Sequence, residues 1–92
     1  MLLFDDLRFD DHDAGPMHPE RAARLSAVRE GLSAFDWERR PAQPADAAAL
    51  RLIHTPEHVQ RSLSAEGRSV AVDADTLISP GSVLAARLAV GA

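Results

Sequence analysis

Large side chains are scarce in this chain, and that limits what it can close into. Of its 92 residues 46% are hydrophobic, but only three are Phe and one Trp, with no Tyr. Much of the remaining apolar content is alanine. Alanine gains little on burial, roughly 0.8 kcal/mol per methyl-sized group, whereas an aromatic ring covers a large area in one step. A domain of this length also sits near the size at which a single core is only marginally stable. The sequence reads as part of something larger.

Charge narrows the partners. The formal net charge is −4, and every basic residue is Arg. A general nucleic-acid binder would carry a basic face or stripe, so direct nucleic-acid binding is not expected. Asp5, Asp6, Asp10, Asp11 and Asp13 crowd the start of the chain with only Arg8 beside them. That is either a solvated acidic loop or a mouth whose field draws in cationic substrates. Without Cys there is no disulfide framework, no thiolate zinc site and no cysteine nucleophile. No signal-peptide pattern is present, and no apolar run approaches the roughly 18 residues of a membrane span. The expectation is a soluble, cytoplasmic protein with no membrane partner.

Local signals outline the elements. Met1-Leu2-Leu3-Phe4 is an apolar run too short to separate strand from helix, and residues 5–17 read as loop. Pro19 supplies a pre-set φ for a first helical residue and Glu20 a favourable first-turn charge. Leu25, Val28, Leu32 and Phe35 then fall on one stripe, predicting a helix over 19–34. Residues 36–44 hold Arg39-Arg40-Pro41 and Pro44 and read as a connector. A short helix over 45–52 would bury Ala48 and Leu52. Thr55-Pro56-Glu57 is a cap followed by Pro and an acid, predicting a helix over 56–65 that buries Val59 and Leu63. Val70 and Val72 suit a brief extended segment. Ser79-Pro80 opens a last helix carrying Val83, Leu84, Leu88 and Val90, which reaches the end of the chain without a stop signal, as in a truncated sequence.

Several side-chain groupings bear on chemistry. His54 and His58 stand at i, i+4, the spacing of two zinc ligands on one helix face. Thr55-Pro56 starts a helix between them, which removes that shared face, so His54 is expected against an aliphatic stem and His58 at a cap or in water. His12 and His18, with Asp13, would bind a metal only if the Gly15-Pro16 turn folded them inward. The favoured role for His18 is a cap on the helix that follows, and His12 is left open. Asp73 and Asp75 would share one side of an extended segment. They serve either as an acid–base pair, as a turn support beside a solvated acid, or, for Asp75, as an acceptor for a ligand's amides. The Ser79-Pro80-Gly81-Ser82 helix start is a weak anion-binding signal. No Gly-x-Ser-x-Gly elbow or base partner accompanies the serines, so nucleophilic catalysis is unsupported.

In combination these pieces have a familiar order. Asp10-x-His12-Asp13-x-Gly15-Pro16-x-His18-Pro19-Glu20-Arg21-x-x-Arg24-Leu25 resembles the first substrate loop of bacterial histone-deacetylase-like amidohydrolases, a group that includes acetoin utilization proteins and acetylpolyamine amidohydrolases. Pro41-x-x-Pro44-Ala45, Leu52-Ile53-His54-Thr55-Pro56-Glu57-His58-Val59 and Asp73-x-Asp75-Thr76-x-x-Ser79-Pro80-Gly81-Ser82 follow in family order. The similarity spans essentially the whole chain, and the motifs are specific together but not singly.

The resemblance implies an α/β fold: the N-terminal part of an arginase–deacetylase-like three-layer architecture with a parallel sheet, this segment being mostly helical. Residues 1–92 would form the N-terminal portion of a single deacetylase-like domain about three times longer. In that family zinc is held by two Asp and one His, and a His-His pair with a Tyr assists attack of zinc-bound water on an acetamide. None of those groups matches a position here, so no catalytic and no metal-binding residue is expected in this segment. Asp75 matches a rim Asp that some relatives use to hold the substrate backbone, and His18 matches the loop shaping the entrance tunnel, so the resemblance implies Asp75 and His18 as the substrate-binding residues. Leu77 departs from the pattern, since many relatives carry an aromatic residue after Asp-Thr. The implied substrate is an acetylated amine or acetyl-lysine. Two rival readings are a stand-alone helical module that binds a partner, and a small metal-binding domain built on His12, His18 and Asp13.

Overall fold

The computed structural model describes all 92 residues. Leu2–Phe4 forms strand β1, which pairs in parallel with β2, Glu38–Arg40, in the register Leu2 with Glu38 and Phe4 with Arg40. Parallel neighbours need a crossover, and this one holds a 3₁₀ turn, Leu7–Asp11, then the first helix, α1, Ala22–Leu32. The apolar start of the chain is thus a strand. β2 falls inside the segment read as a connector, and the reason is plain: its residues are all exposed and carry no apolar alternation. Main-chain pairing with β1 alone makes it a strand.

Helix α1 begins at Ala22, not at Pro19. Residues 19 and 20 form a bend, and Arg21 is extended, at φ −155° and ψ 155°. The expected stripe survives only in part, because no residue of α1 is buried and Val28 is 56% exposed. Phe35 lies beyond the helix, its ring 5.7 Å from that of Trp37. The Trp37 indole N–H donates to the Leu32 carbonyl at 3.0 Å, closing the end of α1.

The next helix, α2, is a single turn, Ala47–Leu50, capped by Asp46, whose carboxylate accepts from the Ala49 amide at 2.8 Å. Leu52, expected in the core, is 83% exposed, because α2 stops two residues before it. Helix α3, Pro56–Ser64, starts as its cap predicts, with Thr55 Oγ1 accepting from the His58 amide, and Val59 is buried at 2% exposure. A hairpin of β3, Val70–Ala71, and β4, Leu77–Ile78, carries residues 72–76 at its tip. Helix α4, Ser82–Gly91, then buries Val83, Ala85 and Leu88. Ser79-Pro80 precedes it in a turn without entering the helix.

The core is small-sided: Ala42, Ala45, Val59, Ala65, Val83, Ala85 and Leu88. The accessible surface is 6648 Å², against about 5,200 Å² for a compact monomer of this mass. The radius of gyration is 14.4 Å, where a compact chain of this length gives about 12 Å. Both quantities agree with the shortage of large side chains. No helix is long and apolar enough to cross a membrane.

Candidate functional site

Two loops meet at the N-terminal end of α4. The first, residues 12–20, is shaped by an Asx turn in which the Asp13 carboxylate accepts from the Gly15 amide at 2.9 Å. Gly15 adopts φ 109°, a conformation other residues rarely take, and its carbonyl accepts from the His18 amide at 3.3 Å. The second loop is the hairpin tip. Its closing bond runs from the Val72 amide to the Thr76 carbonyl at 2.9 Å, and Asp73 Oδ1 accepts from the Asp75 amide at 2.8 Å. The Asp75 amide, with further donors from Thr76, holds the Asp73 carboxyl below the usual carboxylate range. Asp73 is therefore the turn support. Asp75 sits at the exposed tip outside both strands, so the two acids are not an extended-strand pair.

His18 joins the loops. Its Nδ1 accepts from the Glu20 amide at 3.0 Å, which is the capping role expected of it, although the bond serves the bend ahead of α1. Its Nε2 lies 3.0 Å from the Asp75 carbonyl oxygen. The two residues named as substrate-binding candidates are thus brought together, and through the backbone of one of them.

His12 makes a second junction. Its Nδ1 is 2.7 Å from Ser82 Oγ, and its Nε2 is 3.5 Å from a Glu20 carboxylate oxygen. With the carboxylate accepting from Nε2–H, a neutral ring presents Nδ1 as acceptor to the Ser82 hydroxyl. Ser79, one of the buried residues, completes the junction: its Oγ accepts from the Asp13 amide at 2.9 Å and donates to the Asp11 carbonyl at 3.2 Å. Sequence reading found no base partner for the serines because His12 lies 70 residues away. Ser82 Oγ also accepts from the Ser79 amide at 2.7 Å, however, which ties the hydroxyl into the helix start. Gly81 permits the close approach, since a Cβ there would overlap Asp11.

Beside the junction runs an open apolar groove of about 730 Å³, lined by Leu25 and Val28 of α1, Leu63 of α3 and Val90 of α4 together with His12 and Ser82. His54 and His58 also border it, and here the structure corrects the sequence reading. Both rings are exposed, but their centroids are 4.9 Å apart, so the side chain preceding the Thr55 cap folds back over the first turn of α3. They remain a pair without a third donor. No group of three or more His, Asp or Glu side chains is placed to share a metal ion. The three residues of the rival metal site, His12, His18 and Asp13, are instead engaged in the separate hydrogen bonds above.

The acidic opening is partly screened from within, by two arginines against five carboxylates. Arg29 of α1 donates to both Asp5 and Asp10 at 2.9 Å and to the Asp6 carbonyl at 3.3 Å. Hydrogen bonding from Arg29 holds the Asp5 carboxyl below its ordinary value, and the two carboxylates raise the Arg29 pKa in turn. Arg8 clamps Asp6, bringing its pKa to about 2. The cluster keeps a net negative charge, and of the five acids only Asp11 and Asp13 lack an arginine partner.

No protein-family model matches the chain, and no curated protein matches it. Among solved structures, the crystal structure of the HDA15 HD domain is similar over 98% of this chain, with a TM-score of 0.82 and 31% sequence identity. The chain spans 29% of that one. Its parallel strand pair and four helices match a fragment of the arginase–deacetylase fold, as the motifs implied, and the likeness supports a deacetylase-like origin.

Proposed function

We propose that residues 1–92 are the N-terminal portion of a single, cytoplasmic, zinc-dependent deacetylase domain, and that they present substrate to a reaction centre formed by other residues. The substrate is an acetylated amine, either acetyl-lysine or an acetylated polyamine. The observation that carries this reading is the meeting of two separately encoded loops at His18 and Asp75, in a fold similar to the HDA15 HD domain.

The zinc of such an enzyme finds no donor set among these residues, so the role assigned to them is positioning. Asp75 uses its amide and carbonyl within the chain, and its carboxylate is the group assigned to accept hydrogen bonds from the amides of an entering substrate. Asp11 and Asp13 would add a weak attraction for a cationic one.

The test is a hybrid enzyme. Residues 1–92 replace the matching segment of a related deacetylase domain, and hydrolysis of acetyl-lysine peptides and acetylated polyamines is measured. A working hybrid in which Asp75→Ala raises KM about tenfold or more, the worth of one or two charge-assisted hydrogen bonds, supports the proposal. A hybrid that folds and binds zinc but hydrolyses neither substrate overturns it. That outcome would favour the partner-binding reading, for which exposed Leu52 and Ile53 are the natural contacts.

A further inference from the structure

We propose that His18 is a positioning residue: a neutral imidazole that fastens the 12–20 loop to the hairpin tip and so sets the direction of the Asp75 carboxylate. This revises the substrate-contact role expected of His18. It rests on the deacetylase reading only where that carboxylate is said to meet substrate; the fastening itself stands on geometry.

Both ring nitrogens are engaged, and the partners dictate the proton. The Glu20 amide can only donate, so Nδ1 must be the unprotonated nitrogen. The Asp75 carbonyl can only accept, so Nε2 carries the hydrogen. One tautomer satisfies both bonds, the neutral Nε2–H form. The opposite tautomer loses both, and the imidazolium sets a second N–H against the Glu20 amide.

The link spans 57 residues. The hairpin tip is otherwise held by its own turn bonds, from Val72, Asp73 and Asp75. His18 therefore supplies the hydrogen bond that orients this turn against the first loop. Charges of both signs surround the ring: Glu20 follows it, Arg21 and Arg24 line a small cleft with it, and Asp73 and Asp75 lie on the facing turn.

Two substitutions separate the two bonds. Asn places an amide oxygen near the Nδ1 position and keeps the acceptor for Glu20, but is too short to reach Asp75. Gln places its NH₂ near the Nε2 position and keeps the donor to Asp75. The experiment measures hydrogen exchange at the amides of residues 73–76 in the full chain, with ¹⁵N spectra of the histidine rings. His18→Asn should speed exchange about fivefold, the worth of one hydrogen bond, while His18→Gln should leave it near the parent rate. The His18 ring should give the Nε2–H pattern in the parent.

Equal exchange in both variants, or the Nδ1–H tautomer in the parent, overturns the proposal. These readouts use no acetylated substrate, so an inactive hybrid enzyme with an intact link would count against the deacetylase reading alone.

Discussion

The imidazole of His18 donates from Nε2 to the backbone carbonyl of Asp75 across 3.0 Å. Neither residue belongs to a helix or strand. Each loop is shaped by its own short-range bond, from the Gly15 amide to the Asp13 carboxylate in one and from the Asp75 amide to the Asp73 carboxylate in the other. The link therefore joins two preformed turns, and little chain entropy is lost beyond that of bringing them together.

Glycine 81 should tolerate no side chain. A Cβ there overlaps both the side chain and the carbonyl of Asp11, so Gly81→Ala must push the 3₁₀ turn off α4. Overpacking of this kind costs about 1–3 kcal/mol. Gly31 in α1 meets open space instead, and Gly31→Ala should stabilise by up to about 1 kcal/mol through helix propensity. Urea unfolding of the two variants checks both signs.

Removing Arg29 should cost more than removing any other arginine. Arg29→Met leaves the part-buried Asp5 and Asp10 side by side without their shared cation. A loss of about 2 kcal/mol is expected, below the figure for fully buried pairs because these groups are partly solvated. Adding Asp10→Asn to Arg29→Met should recover part of it, and a double-mutant cycle measures how much.

Acid should weaken the fold through particular carboxylates. Asp5 is held low chiefly by Arg29, Asp6 is held at about 2 by Arg8, and Asp73 is held low by the Asp75 amide. A carboxyl that ionises more easily in the folded chain adds stability above its unfolded pKa and withdraws it as pH falls through the folded value. Stability should accordingly decline between about pH 4 and about pH 2. The decline should be shallower in Asp6→Asn. An identical acid profile in parent and variant would remove Asp6 from the account.

Thermal unfolding of the 92-residue chain, followed by circular dichroism, should be broad. Its accessible surface is roughly a quarter larger than that of a compact monomer, and its core is mostly Ala and Val, so few contacts hold it cooperatively. Zinc should not move the transition, because no three donors converge. A sharp transition raised by zinc would contradict both statements.

Part of this architecture is legible one turn at a time. Thr55-Pro56-Glu57 announces α3, and the cap bond to His58 is there; Val59 and Leu88 follow from helical spacing and are the largest fully buried side chains. The same local rules misplace the start of α1, because Pro19 looks like a first helical residue until His18 takes the Glu20 amide and Arg21 extends. They also miss β2, whose residues pair through the backbone and carry no apolar rhythm.

What the sequence alone determined is what depends on neighbours within a few positions: caps, turns, helical stripes and the shortage of large side chains that leaves the chain open. Its motif order also pointed to the fold later seen, and it named His18 and Asp75. Only the tertiary structure decided that those two residues touch, that His12 meets Ser82 across 70 positions, and that Arg29 bridges Asp5 and Asp10. Contacts so far apart along the chain leave no periodicity to read, because their geometry is set by how the helices and turns between them pack.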